Sequence, residues 1–292
     1  MPEGNAHQAS GLAGVRQQKP VQVVTVASGK GGVGKTNVSV NLATARALMG
    51  KKVWLFDADL GLANVDVLLG LSPELNLSHV LAGECDLADI VLKGPADLRI
   101  VPASSGVQHM ASLSDAECRG LIHAFSDLTD DIDMLIVDTA AGISTSVTMF
   151  AQAAHEVLVV VCDEPASITD AYALIKVLSR DHGVQRARVV ANMVRSSAEG
   201  LALYRKIAKV TDRYLETVLQ YAGCIPHDDF LRRALQRQQP VVTAFPSSRS
   251  ALAFKKLAES VDQWALPSRG SGNLEFFFER VLGAQGAFQE RR

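Results

Sequence analysis

Eight consecutive residues, Gly29-Lys30-Gly31-Gly32-Val33-Gly34-Lys35-Thr36, constrain this chain more than anything else in it. Their spacing is G-x-x-x-x-G-K-[ST], with a second lysine, Lys30, near the start. Glycines let successive backbone N–H groups turn inward on a phosphate with no Cβ in the way. Lys35 is spaced to reach the β and γ phosphates, and the Thr36 hydroxyl suits Mg2+. The helix that follows presents its positive end to the anion, with Asn37 in its first turn. The flanks agree with that chemistry. Val21 to Val26 alternates and is β-branched, the pattern of a buried strand. Residues 37–49 place Val38, Leu42, Ala45 and Leu48 on one helical face and stop at Gly50. Strand, glycine loop and helix in that order make residues 29–37 the candidate nucleotide-binding set.

The rest of the chain alternates in the same way. Strands are expected at 22–27, 53–57, 98–101, 133–138, 156–162, 187–192 and 219–225, with helices at 114–126, 167–181, 197–216, 227–237 and 248–262. Continuous apolar strands alternating with helices predict an α/β fold, a mostly parallel sheet of about seven or eight strands covered on both faces. Residues 1–20 are rich in Gly, Gln and Ala and read as a flexible extension. Residues 21–265 form the nucleotide-binding domain, and 266–292 a linker with a last amphipathic helix. The formal charge of −2 gives no global reason to expect nucleic-acid binding. Cys85, Cys118, Cys162 and Cys224 are scattered with no C-x-x-C pair, so neither a zinc site nor a disulfide framework is indicated. Cys162 and Cys224 read as buried core thiols. No apolar run approaches a membrane span, and a reducing cytoplasm fits this cysteine usage.

Ligands of open parallel sheets sit beyond the carboxyl ends of the strands. Strand 53–57 runs into Asp57-Ala58-Asp59, and strand 133–138 into Asp138-Thr139-Ala140-Ala141-Gly142. Asp138 is placed to hold Mg2+ through water, with the Gly142 amide near a γ-phosphate. Asp59 is assigned to positioning the attacking water and Asp57 to supporting the metal shell with Thr36. Spacing alone would allow those two roles to be exchanged. Lys30 and Lys35 complete the catalytic set. For base recognition the candidates are Asn192, a planar amide at a strand end, and the turn Pro226-His227-Asp228. His227 reads as a helix-start residue.

These motifs resemble the MinD/ParA class of P-loop ATPases with a second lysine in the loop. Two longer segments, Asp57-Ala58-Asp59-Leu60-Gly61-Leu62-Ala63-Asn64-Val65-Asp66 and Asp163-Glu164-Pro165-Ala166-Ser167-Ile168-Thr169-Asp170-Ala171-Tyr172, resemble the FleN/FlhG group of flagellar-number regulators within that class. The likeness runs from about Val21 to Leu282. It implies a three-layer α/β/α P-loop NTPase fold, and ATP and Mg2+ as cofactors. It also implies a homodimer closed by ATP, with Lys30 reaching the phosphates of the other subunit and Asp59 activating water. Partners implied by the same likeness are the flagellar master transcriptional activator and an SRP-type flagellar GTPase.

The tails add two expectations. His7-Gln8-Ala9-Ser10-Gly11-Leu12-Ala13 resembles a D-Q-A-x-x-L-R element by which some members stimulate that GTPase, with His7 in place of the acid and Ala13 in place of the arginine. Leu274, Phe277, Phe278, Val281 and Leu282 form one apolar helical stripe, suited to peripheral membrane contact through 274–282 or to packing on its own domain. The competing function is a ParA-type ATPase that binds nonspecific DNA, for which Arg205, Lys206, Lys209 and Arg213 offer a basic helical face. An electron-transfer ATPase sharing a cluster across a dimer would need cysteines that the Asp138 loop lacks.

Overall fold

The computed structural model describes residues 21–59, 64–102, 132–264 and 280. Expectations for 1–20, for a helix at 114–126, for Cys118 and for the stripe 274–282 lie outside the described residues.

Within them, eight strands make a single sheet: β1 (Gln22–Ser28), β2 (Val53–Ala58), β3 (Leu92–Lys93), β4 (Arg99–Val101), β5 (Met134–Ala141), β6 (Glu156–Cys162), β7 (Arg186–Val194) and β8 (Val218–Pro226). Their order across the sheet is β3-β4-β2-β5-β1-β6-β7-β8. All neighbours are parallel except β3, which runs antiparallel to β4 at the edge. Every residue of β1 and β6 is buried, because helices cover both faces of the sheet. On one face α1 (Lys35–Leu48) and α10 (Arg249–Ser260) pack on Val24, Val26 and Leu55 through Val38, Leu42 and Phe254. On the other, α5 (Thr145–Ala153) brings Phe150 against Phe56, while α6 (Pro165–Arg180) and α7 (Ser197–Tyr214) bring Leu174, Leu178 and Leu203 against Val159 and Val189. This is the three-layer α/β/α architecture that the alternation predicts.

The differences from the sequence expectations have local causes. Helices α2 (Val65–Leu69), α3 (Leu77–Leu81), α4 (Leu87–Ile90) and α9 (Val241–Ala244) have four or five residues, too short for a 3.6-residue period to show. Strand β3 has two residues, and α5 is rich in Thr and Val, which favour strands as readily as helices. Helix α8 (Asp229–Gln236) is shorter than its predicted 227–237 because Asp228 caps it. Cys162 is buried, but Cys224 is only half-buried.

The chain reverses direction across the sheet at β1, whose neighbours β5 and β6 belong to its two halves. A crevice forms at such a switch point beyond the carboxyl ends of the strands. The loop from Gly29 to Gly34 leaves β1 there.

Candidate functional site

The four glycines of the loop are required for different reasons. A Cβ on Gly29 would lie 2.2 Å from the Asp170 backbone in α6, so that glycine allows the loop to lie against a helix. A Cβ on Gly34 would lie 2.5 Å from Asn192 Nδ2, and its φ of +84° is a left-handed conformation. Gly32 has φ +78° with open space around it. Gly31 has neither a positive φ nor any atom within 4 Å of an added Cβ. Nothing in the folded chain requires glycine at Gly31, whereas a ligand lying on the loop backbone would. Val33 is buried beneath, and its carbonyl accepts from Asn192 Nδ2 at 2.7 Å and from Cys162 Sγ at 3.5 Å.

Helix α1 starts at Lys35 with Gly34 as its cap residue and no side-chain cap, leaving its first amides open to an anion. Lys35 is buried and donates to Asp138 Oδ1 at 2.9 Å. The same oxygen accepts from Ser39 Oγ at 2.6 Å, while Asp138 Oδ2 is buried with no partner. Thr36 and Asn37 are half-buried beside it, and Asn37 Oδ1 is also buried without a partner. Lys30 Nζ donates to Glu164 Oε2 at 2.8 Å across the mouth of the loop. That hydrogen bond, and then the charge of Glu164, raise the Lys30 pKa.

Asp57 and Asp138 are register partners on the adjacent strands β2 and β5. The sequence reading puts Asp57 in the metal shell; in the structure its two oxygens accept from backbone amides. Asp57 Oδ1 accepts from the Asp59 amide at 3.1 Å, and Oδ2 accepts from the amides of Asn64 at 3.1 Å and Val65 at 3.2 Å. Three amide hydrogen bonds occupy most of the acceptor capacity of this carboxylate. Burial, and then the charge of Asp138, push the Asp57 carboxyl up to about 7 against those hydrogen bonds. Asp59 is half-buried, and its Oδ2 accepts from Asn64 Nδ2 at 3.4 Å.

Three further candidate residues make contacts within the protein. Strand β5 continues past Asp138 to Ala141, because Ala141 pairs with Ser28. Gly142 then turns with φ +98° and donates its amide to Ser28 O at 2.8 Å, so in this structure that amide is engaged by the protein. Asn192 lies two residues before the end of β7; its Nδ2 donates to Val33 O, and its Oδ1 is buried without a partner. Asp228 is likewise engaged. Its Oδ1 accepts from Phe230 N at 3.0 Å, and its Oδ2 from Ser250 N and Oγ, both at 2.9 Å. Burial alone would raise the Asp228 carboxyl, but hydrogen bonds from Ser250 and Phe230 and the charge of Arg249 bring it below its ordinary value. Pro226 ends β8, and His227 precedes the helix as its sequence suggests.

The structure thus brings Lys30, Lys35, Thr36, Asn37, Asp57, Asp59, Asp138 and Gly142 to one crevice. The sequence reading missed Ser39, Asn64, Cys162 and Glu164. Ser39 had a usable signal, since it lies four residues after Lys35 on the same helical face.

A glycine with no internal reason to be one, an uncapped helix start and a buried carboxylate oxygen without a partner fit a phosphate ester with its cation. Thr36 and Asp138 are the residues placed to hold Mg2+, and the loop with Lys35 the phosphates.

Comparisons with known proteins agree. Residues 24–241 match the family described as the CobQ/CobB/MinD/ParA nucleotide binding domain. The chain is 60% identical to the antiactivator FleN of Pseudomonas aeruginosa over 90% of its own length and 94% of that protein. It is 33% identical to the flagellum site-determining protein YlxH of Helicobacter pylori over 89% of each chain. Among solved structures, the cell division ATPase MinD of Pyrococcus furiosus superposes with a TM-score of 0.67 at 28% identity, covering 84% of this chain and 99% of that one. MinD of Pyrococcus horikoshii, solved with Mg-ADP, gives 0.66 at 27% identity over 83% of this chain and 96% of that one. The chain belongs to the CobQ/CobB/MinD/ParA nucleotide-binding family and is an ATPase of its MinD/ParA branch, with ATP and Mg2+ as cofactors.

Proposed function

We propose that this ATPase is a dimerising switch that controls flagellar number and placement, by antagonising the flagellar master transcriptional activator and acting with an SRP-type flagellar GTPase. The observation that carries this reading is the likeness to the Pseudomonas antiactivator along nine-tenths of the chain. In this reading the protein works in the cytoplasm, with peripheral contact at the inner membrane or cell pole through 274–282. The described residues include no helix long and apolar enough to cross a membrane.

Bound Mg2+–ATP supplies the phosphoanhydride bond and a cation that neutralises charge as the bond breaks. The chain's own residues supply position and field. The amides of the loop and the start of α1 hold the phosphates, with Lys35 as the buried cation among them. Thr36 and Asp138 would hold the metal, Asp138 through water beside the oxygen that no protein group occupies. Asp59 orients the attacking water. Lys30 leaves Glu164 and serves the nucleotide of the second protomer.

Size-exclusion chromatography with ATP tests this assignment. Asp59→Ala is expected to bind ATP and persist as a dimer with hydrolysis slowed, and Lys35→Ala to lose binding and dimerisation together. A monomeric Asp59→Ala protein would sink the role given to Asp59. The cellular reading is tested in Pseudomonas aeruginosa lacking its own relative. The wild-type chain should restore flagellar number and Lys35→Ala should not; failure of the wild type would refute the flagellar role while leaving the ATPase intact.

The ParA-type alternative rests on one observation: Arg205, Lys206, Lys209 and Arg213 are all exposed on α7. Lys206 also pairs with Asp163 at 2.9 Å, as a solvated helix face does. A shift of nonspecific DNA that disappears when these charges are reversed would favour DNA binding.

A further inference from the structure

We propose that Asp57 is a positioning residue for Asp59, acting as a clamp between Asp59 and the start of α2. The inference rests on the reading that Asp59 orients the attacking water. Its first support is the division of hydrogen bonds between the two oxygens. Oδ1 takes the amide of Asp59, and Oδ2 takes the amides of Asn64 and Val65. One carboxylate therefore fixes Asp59 relative to the start of α2.

The second support is what the clamp is attached to. Asp57 is 1% exposed within β2, in register with Asp138 of β5, so it moves only with the central sheet. Asn64 and Val65 are the cap and first residue of α2, and Asn64 makes no capping hydrogen bond with its side chain. Asp57 takes that place: its Oδ2 accepts from the amides of Asn64 and Val65 at the start of the helix. Asn64 then reaches back with Nδ2 to Asp59 Oδ2 at 3.4 Å. Asp59 is held by its backbone from one side and by its carboxylate from the other. Misplacing a catalytic group by about 1 Å can cost roughly 100-fold in rate, so such a clamp bears on turnover and not only on folding.

Asp57→Asn is the test, because an amide keeps the shape but turns one acceptor into a donor facing an N–H. The expected result is kcat lowered about tenfold or more, with KM for ATP and the Mg2+ requirement each within about twofold of wild type. In the Asp59→Asn background, Asp57→Asn should cause no further loss, since a residue acting through Asp59 has nothing left to position. A Mg2+ requirement raised about tenfold would make Asp57 a metal ligand and overturn the proposal. An additive loss in the double variant would overturn it too. If Asp59→Asn itself turns over normally, the assignment of Asp59 fails and the clamp loses its role with it. If Asp59→Asn is slow but Asp57→Asn is not, only the clamp fails. Amide hydrogen exchange on the unmodified protein stands apart from any folding defect. The amides of Asn64 and Val65 should be protected, and exchange at free-peptide rates would refute the clamp.

Discussion

The crevice has two halves, and they treat similar polar residues in opposite ways. On the side of β1, β2 and β5, groups are buried with capacity unused. Asp138 Oδ2 and Asn37 Oδ1 have no partner, α1 has no side-chain cap, and Gly31 opens on empty space. On the side of β7 and β8, the donor of Asn192 is engaged by Val33 while its Oδ1 is buried without a partner, and both oxygens of Asp228 are engaged by Phe230 and Ser250. The first half is arranged to receive something. The second is arranged to hold the loop and two helix ends in place. An unpaired buried polar group costs about 1–3 kcal/mol, so Asp138 Oδ2 and Asn37 Oδ1 mark where a ligand completes the first half, and Asn192 Oδ1 leaves the second half one acceptor still to offer.

The largest effect belongs to Lys35. Its removal takes the cation from the phosphate half and leaves Asp138 buried with only Ser39 on its inner oxygen. Lys35→Ala should weaken ATP binding by at least about 100-fold, and losing one partner of a buried ion pair should cost about 3 kcal/mol of stability. Calorimetric titration with ATP and urea unfolding measure both. Retained affinity would mean the backbone alone holds the phosphates.

A second test divides the loop itself. Gly29→Ala forces a Cβ to 2.2 Å from the backbone of α6 and should destabilise the fold by about 2 kcal/mol or more. Gly31→Ala meets nothing and should change stability by no more than about 0.5 kcal/mol, yet weaken ATP binding about tenfold. Thermal melts with and without ATP separate the two. Equal behaviour would erase the distinction between glycines kept for packing and glycines kept for ligand.

The same division explains what could be read from sequence. The phosphate half was legible because its chemistry is local. Gly29 to Asn37 are contiguous, and Asp138 announces itself as an acid following an apolar strand. The partnership of Asp57 with Asn64 and Val65 was not legible, since spacing of two residues cannot say which carboxylate faces a loop and which a metal. The internal contacts of the base half were not legible for a different reason. Asn192 and Asp228 sit where base-contacting residues would, but their partners Val33 and Ser250 are 159 and 22 residues away and come together only in the folded sheet. The strand positions carried over well because alternation is a strong signal, while helices of one turn left no periodicity to find.

Asn192 gives a smaller effect with a distinctive pattern. As the holder of Val33, Asn192→Ala should weaken ATP and ADP about equally, by roughly tenfold, through loss of one buried hydrogen bond of about 1–1.5 kcal/mol. Preference for ATP over GTP should stay unchanged. A selective loss of ATP would instead make Asn192 a reader of the base and join the two halves in function.

The smallest effect is expected at Asp228. Its carboxylate caps α8 through Phe230 and ties α10 through Ser250, so Asp228→Ala should cost about 1 kcal/mol of stability and leave nucleotide binding alone. The pH dependence distinguishes a charged clamp from mere packing. The folded-state pKa of Asp228 is lowered from 3.8, so its contribution is present above that pH and is lost as pH falls through the folded value. The stability gap between wild type and Asp228→Ala should therefore be full at about pH 6 and close below about pH 4. Urea titrations across that range measure it. A gap constant with pH would mean that Asp228 acts by shape alone, and a change in ATP affinity would return it to the ligand-facing side of the crevice.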